Sequence, residues 1–89
     1  MKEFRFVDCP EGCRLVGVDI HTATHLTLPI SKDDAKALIL SAFKSDDDQP
    51  RSEFQGVFAD KTAGGVRVRQ VAKDSWMDIP WTVIARDLT

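Results

Sequence analysis

The chain has 89 residues, 43% hydrophobic and 29% charged, which is enough for one domain with a modest core. A chain of this length buries somewhat over ~60% of its unfolded surface, and this composition excludes the low-hydrophobicity, high-charge class that stays disordered. The formal charge of −2, from 12 Lys and Arg against 14 Asp and Glu, excludes a uniformly basic nucleic-acid coat.

The charge is unevenly spread. Residues 1–49 hold six Lys and Arg against nine Asp and Glu, whereas residues 50–89 hold six against five, so a local basic patch is permitted. The first residues, MKEFRFVDC, alternate charged and apolar side chains and lack the ~7–15-residue apolar run of a secretory signal. No apolar stretch approaches the ~20 residues of a membrane helix. The expectation is a cytoplasmic protein with no membrane contact, in which Cys9 and Cys13 are thiols rather than a disulfide.

In chain order, residues 4–18 alternate with period two. Phe4 and Phe6 share one face, Arg5 and Val7 the other, and Val16, Val18 and Ile20 continue the pattern after the turn signal Pro10-Glu11-Gly12. A three-residue loop would set Cys9 opposite Cys13, Asp8 opposite Arg14, Phe6 opposite Val16 and Phe4 opposite Val18. HTATH, residues 21–25, interrupts the run as a turn, and Leu26, Leu28 and Ile30 resume it as a third strand.

Ser31-Lys32-Asp33-Asp34 has the spacing of a helix cap, with Asp at the place of the usual Glu or Gln. Ala35, Leu38, Ile39, Ala42 and Phe43 then fall on one helical stripe, which predicts a helix over 32–44 that buries that stripe against a sheet. SDDDQPRS, residues 45–52, reads as a solvated loop. Residues 54–59 and 66–71 read as strands around KTAGG, and a five-residue loop would pair Phe58 with Val68. A last strand is expected at 81–85, where Val83 and Ile84 suit burial on both faces.

Together these elements predict an α+β domain spanning 1–89, with antiparallel sheet or sheets in the order βββαβββ and the helix on a sheet face. The layout resembles many small proteins of bacteria and their phages in architecture alone.

Cys9, Cys13, His21 and His25 form a C-x3-C, H-x3-H arrangement, the residue types that hold zinc. If RLVGVDI, residues 14–20, is an extended strand, Cys13 and His21 stand roughly 26 Å apart, too far to share one ion or one proton. The bland alternative is a pair of hairpin-end cysteines and a pair of turn-flanking histidines. Asp46, Asp47 and Asp48 lack the glycine and ligand pattern of a calcium loop, and Gly64-Gly65 lacks phosphate-binding context. No catalytic constellation and no cofactor emerge.

Arg67 and Arg69 leave the same face of one strand, with Lys61 and Lys73 nearby, a candidate phosphate contact. No aromatic shares that strand, so a protective solvent face competes with nucleic-acid binding. DSWMDIPW, residues 74–81, concentrates Trp76, Met77, Ile79 and Trp81. Pro80 forbids regular helix across it, and an irregular segment cannot easily bury four large groups, so Trp76 or Met77 is expected at the surface, in the manner of an interface anchor. The expectation is a non-enzymatic protein-binding module, an inhibitor or adaptor, that occludes a partner protein through Trp76, Met77, Ile79, Trp81 and the acidic residues Asp46–Asp48. Nucleic-acid binding through Lys61, Arg67, Arg69 and Lys73, and zinc binding through Cys9, Cys13, His21 and His25, are the alternatives.

Overall fold

The computed structural model describes residues 3–44 and 51–88, with the backbone alone at 51 and 52. Three strands, β1 (Glu3–Cys9), β2 (Gly12–Val18) and β3 (Ala23–Leu28), form one antiparallel sheet in that order. Helix α1 (Lys32–Phe43) follows. A second antiparallel sheet comprises β4 (Arg51–Phe54), β5 (Val57–Lys61), β6 (Gly65–Gln70) and β7 (Ser75–Pro80), again in chain order. The chain then turns helical as α2 (Trp81–Val83), widening into a π-type turn over Ile84–Leu88. The α+β class, the antiparallel sheets and the helix against them are as the pattern predicts. After the helix the described residues form four strands rather than three.

The first hairpin is tighter than a Pro10-Glu11-Gly12 loop. Cys9 pairs with Gly12, so only Pro10 and Glu11 make the turn, and every pair shifts by one: Asp8 faces Cys13, Phe6 faces Leu15 and Phe4 faces Gly17. A one-residue slip exchanges the faces of a strand. The core face of β2 therefore carries Cys13 and Leu15, while Val16 and Val18 stand on the outer face opposite Arg5 and Glu3. Gly12 makes the short turn possible: its φ is +150°, and a Cβ there would lie 2.5 Å from the Ile30 carbonyl oxygen.

The next turn spans 19–22, where the Asp19 amide donates to the Thr22 carbonyl at 2.8 Å and the Asp19 Oδ1 accepts from the Ile20 amide at 2.7 Å. β3 consequently starts earlier than expected, with His25 inside the strand and His21 in the turn.

Helix α1 begins where the sequence indicates. Ser31 is extended, and its hydroxyl accepts from the Asp34 amide at 3.2 Å, satisfying one of the orphan donors of the first turn. Asp33 and Asp34 add negative charge at the positive end of the helix. Ala35, Leu38, Ile39 and Ala42 are the buried stripe. Ile39 is fully buried, so cutting it to Ala would cost ~2–5 kcal/mol.

In the second sheet the expected strand at 54–59 is two strands. Gln55 and Gly56, with φ of +50° and +79°, make a two-residue hairpin turn between β4 and β5. The link between β5 and β6 is one residue shorter than expected, because Lys61 pairs with Val66. It is fastened by Thr62, whose amide donates to the Gly65 carbonyl at 2.8 Å and whose hydroxyl accepts from the Gly65 amide at 3.0 Å. Phe58 accordingly faces Arg69 rather than Val68, and Val57, Ala59, Val66, Val68, Met77 and Ile79 line the inner face.

The strand expected at 81–85 is helical, and the regular strand lies just before it. Pro80 closes β7, since it lacks an amide to continue the ladder. Beyond it, helical spacing brings Val83, Ile84 and Leu88 into the core together. One apolar cluster joins both sheets, α1 and this terminal segment. β3 and β7, each the outermost strand of its own sheet, lie side by side without pairing. No helix among the described residues is long and apolar enough to cross a membrane.

Candidate functional site

Between the edges of β3 and β7 lies a cleft of about 410 Å³. One wall is built by Asp19, Thr22, Thr24 and His25, from the β2–β3 turn and the start of β3. The other is built by Trp76, Met77, Asp78 and Pro80 of β7. Alternation along β7 explains this second wall. Met77 and Ile79 point inward and are buried, which pins the strand, so Trp76 and Asp78 must point outward. Trp76 keeps 57% of its surface exposed.

The outer face of the second sheet continues from this wall. Arg67 binds Asp78 through two hydrogen bonds, Nε to Oδ1 at 2.7 Å and Nη2 to Oδ2 at 3.0 Å, and lies 4.4 Å from the centre of the Trp76 ring. The Asp78 bond holds the Arg67 guanidinium pKa above its usual value, so its charge is permanent. Next along, Arg69 donates to Asp60 at 2.9 Å and lies 5.1 Å from the Phe58 ring. The result is a row of arginines, each neutralised by a carboxylate and stacked on an aromatic ring.

Of the expected partner-binding residues, Trp76 is at the surface beside the cleft. Met77 and Ile79 are core residues, 5% and 1% exposed, because the segment is a regular strand that sends alternate side chains inward, and Met77 also lines the cleft. Trp81 is 41% exposed but stands apart from the cleft, edge-on to Phe43 with ring centres 6.5 Å apart and with Lys61 Nζ 5.8 Å from its ring. Asp46, Asp47 and Asp48 lie outside the described residues.

The basic candidates divide in the same way. Arg67 and Arg69 share a face, as expected, but aromatics interleave them after all: the corrected register puts Phe58 and Trp76 from neighbouring strands onto that face. It also puts Asp60 and Asp78 there. Lys73 is exposed in the 3₁₀ turn before β7, away from the row.

The cysteines and histidines do not converge. Cys13 is buried on the inner face of its sheet, and Cys9 is on the opposite face at the hairpin end. His25 is exposed and pairs with Val16, three residues along β2 from Cys13 and so ~10 Å away. His21 sits in the turn beyond the far end of β2. Among the described residues no three His, Cys, Asp or Glu side chains are arranged to hold a metal ion. Burial, then the neighbouring Cys9 and Asp8, pushes the Cys13 thiol up to about 11, so it is neutral and unreactive. Glu11 in the turn is held below the usual carboxylate range by a backbone hydrogen bond and by one from the Cys9 thiol.

No protein-family model, curated protein or solved structure matches this chain.

Proposed function

We propose that the protein is a non-enzymatic binding module for another protein, an inhibitor or adaptor that occludes its partner's surface, with the β3–β7 cleft and Trp76 as the contact region. The observation that carries this reading is Trp76 itself: a large aromatic left 57% exposed beside a cleft, with the Asp78-bound Arg67 guanidinium 4.4 Å from the centre of its ring. A rigid aromatic anchor loses little conformational freedom on binding, which is why tryptophan and arginine dominate the energetics of protein interfaces. The edge strands flanking the cleft add unpaired backbone groups that an extended segment can meet. Two free thiols, one of them buried, fit a reducing cytoplasmic setting.

The test is affinity purification from the native host with the unmodified chain, Trp76→Ala and Lys36→Ala, the last being exposed on α1. A specific co-purifying protein should be retained by Lys36→Ala and fall at least tenfold with Trp76→Ala. Equal recovery with all three would overturn the assignment of the contact region.

A second reading is supported by the row of Phe58, Arg69, Arg67 and Trp76, since stacked aromatics with arginines form the platforms that take single-stranded nucleic acid. Asp60 and Asp78 on the same face oppose it by repelling phosphate. Retention on single-stranded DNA or RNA at low salt, lost steeply as salt rises, is what that reading requires.

A further inference from the structure

The cleft between β3 and β7 is lined largely by apolar surface, Trp76, Met77 and Pro80 included, with a few acceptors and His25 on its walls. Asp19 and Asp78 place a carboxylate on each wall, Thr22 and Thr24 add hydroxyls, and among the described residues no Lys or Arg lines it. Arg67 reaches Asp78 from the outer face of the sheet rather than from inside the cleft. We infer that the cleft takes the guanidinium of an arginine carried on an extended segment of the partner protein. This rests on the cleft being the protein-contact region.

Three properties select that group. The first is charge: Asp78 is already balanced by Arg67, so the excess negative charge comes from Asp19 on the opposite wall, and it favours a cation over phosphate or an acidic peptide. The second is shape, because a planar guanidinium stacks on an indole, and most of Trp76 remains open after Arg67 has covered part of it. The third is the match of donors to acceptors. A guanidinium offers five N–H donors in a flat fork to the carboxylates and hydroxyls of the walls, whereas a lysine ammonium offers three and cannot stack flat. Asp78 can serve both arginines, since each carboxylate oxygen accepts more than one hydrogen bond. The volume, about 410 Å³, admits a long side chain with part of its backbone. The flanking edge strands favour an extended carrier.

The test uses three blocked pentapeptides, Thr-Val-Xaa-Val-Thr, with arginine, citrulline or lysine in the centre. Citrulline keeps the size of arginine and removes its charge. Each is titrated into the isotopically labelled full chain, following the indole N–H signals of Trp76 and Trp81 and the amides of Thr22 and Thr24 by NMR. The arginine peptide is expected to shift Trp76, Thr22 and Thr24 saturably and leave Trp81 in place. Binding should weaken at least tenfold with citrulline and severalfold with lysine. Asp19→Asn, which keeps an oxygen for the Ile20 amide, should weaken the arginine peptide severalfold. Equal binding of arginine and citrulline, shifts centred on Trp81, indifference to Asp19→Asn, or no shift with any peptide would each overturn the inference. A partner lost by Trp76→Ala in the purification above, combined with any of those results, would leave the contact region standing and remove only the arginine.

Discussion

Arg67 and Asp78 sit directly opposite each other on β6 and β7, and their two hydrogen bonds fix the guanidinium against the face of Trp76. Both partners of the pair are about half exposed, with side-chain exposures of 43% and 50%. Solvent screening makes such a pair weak as a source of stability. Its expected effect is on geometry, through the guanidinium that it places against the indole. In a Trp81→Phe background, which leaves Trp76 as the single fluorophore, Arg67→Met is expected to speed the decay of Trp76 fluorescence anisotropy while the unfolding midpoint hardly moves. An unchanged decay would show that packing alone orients the ring.

At Gly65 the backbone of β6 runs close against that of β7. A Cβ at this position would lie 1.9 Å from the Ile79 carbonyl oxygen, and both neighbours there are backbone. Gly65→Ala must therefore separate the strands, and a loss of about 3 kcal/mol or more is expected in chemical denaturation, at the upper end for overpacking. Gly64→Ala is the matched control. A Cβ on Gly64 meets nothing within 4 Å, so it should change stability by less than ~0.5 kcal/mol.

Cys13 supplies a pH signature. Its thiol pKa rises from 9.0 to about 11 on folding, chiefly through burial. The folded state thus holds the proton more tightly than the unfolded state, so this stabilisation is complete below pH 9 and disappears as pH climbs through 11. The total loss across this window corresponds to roughly 2–3 kcal/mol. It should appear as a difference between the unmodified chain and Cys13→Ala in urea unfolding at pH 8 and pH 11, because other alkaline titrations are common to both. In a thiol-reagent assay at neutral pH, Cys9, which is partly exposed, should react at once and Cys13 at the rate of unfolding.

Gln70 lies on the inner face of β6, 8% exposed, and its buried Oε1 finds no hydrogen-bond partner among the described residues. A buried acceptor without a donor costs ~1–3 kcal/mol. Gln70→Met, of similar length and without the carbonyl, should be neutral or raise stability by up to about 1 kcal/mol in chemical denaturation. A loss of 2 kcal/mol or more would mean that the amide has a stabilising contact outweighing its orphaned oxygen.

The elements that could be read from the chain are those whose apolar spacing has one solution. The stripe Ala35, Leu38, Ile39, Ala42 after a Ser31 cap permits a helix and little else, and it is there. RLVGV announces a strand but not its faces, because Leu15 and Val16 are both apolar and either could turn inward. The choice falls to the length of the Pro10-Glu11 turn, which is set by how closely Gly12 can approach Ile30. The same one-residue ambiguity at Thr62–Gly65 hid the site. With a five-residue loop the arginines face aliphatic residues, whereas the observed link brings Phe58, Asp60, Trp76 and Asp78 around them. At the end of the chain, Val83 and Ile84 favour a strand by local propensity, but burying Leu88 with them outweighs that preference.

No backbone ladder joins β3 to β7, so the two sheets are held at this seam by side chains and by α1, which touches both from behind. The seam can be spread or narrowed without breaking a single strand–strand hydrogen bond. Its width is thus the one dimension of the cleft that side-chain packing alone decides, so repacking at the seam would alter the opening while leaving both sheets intact.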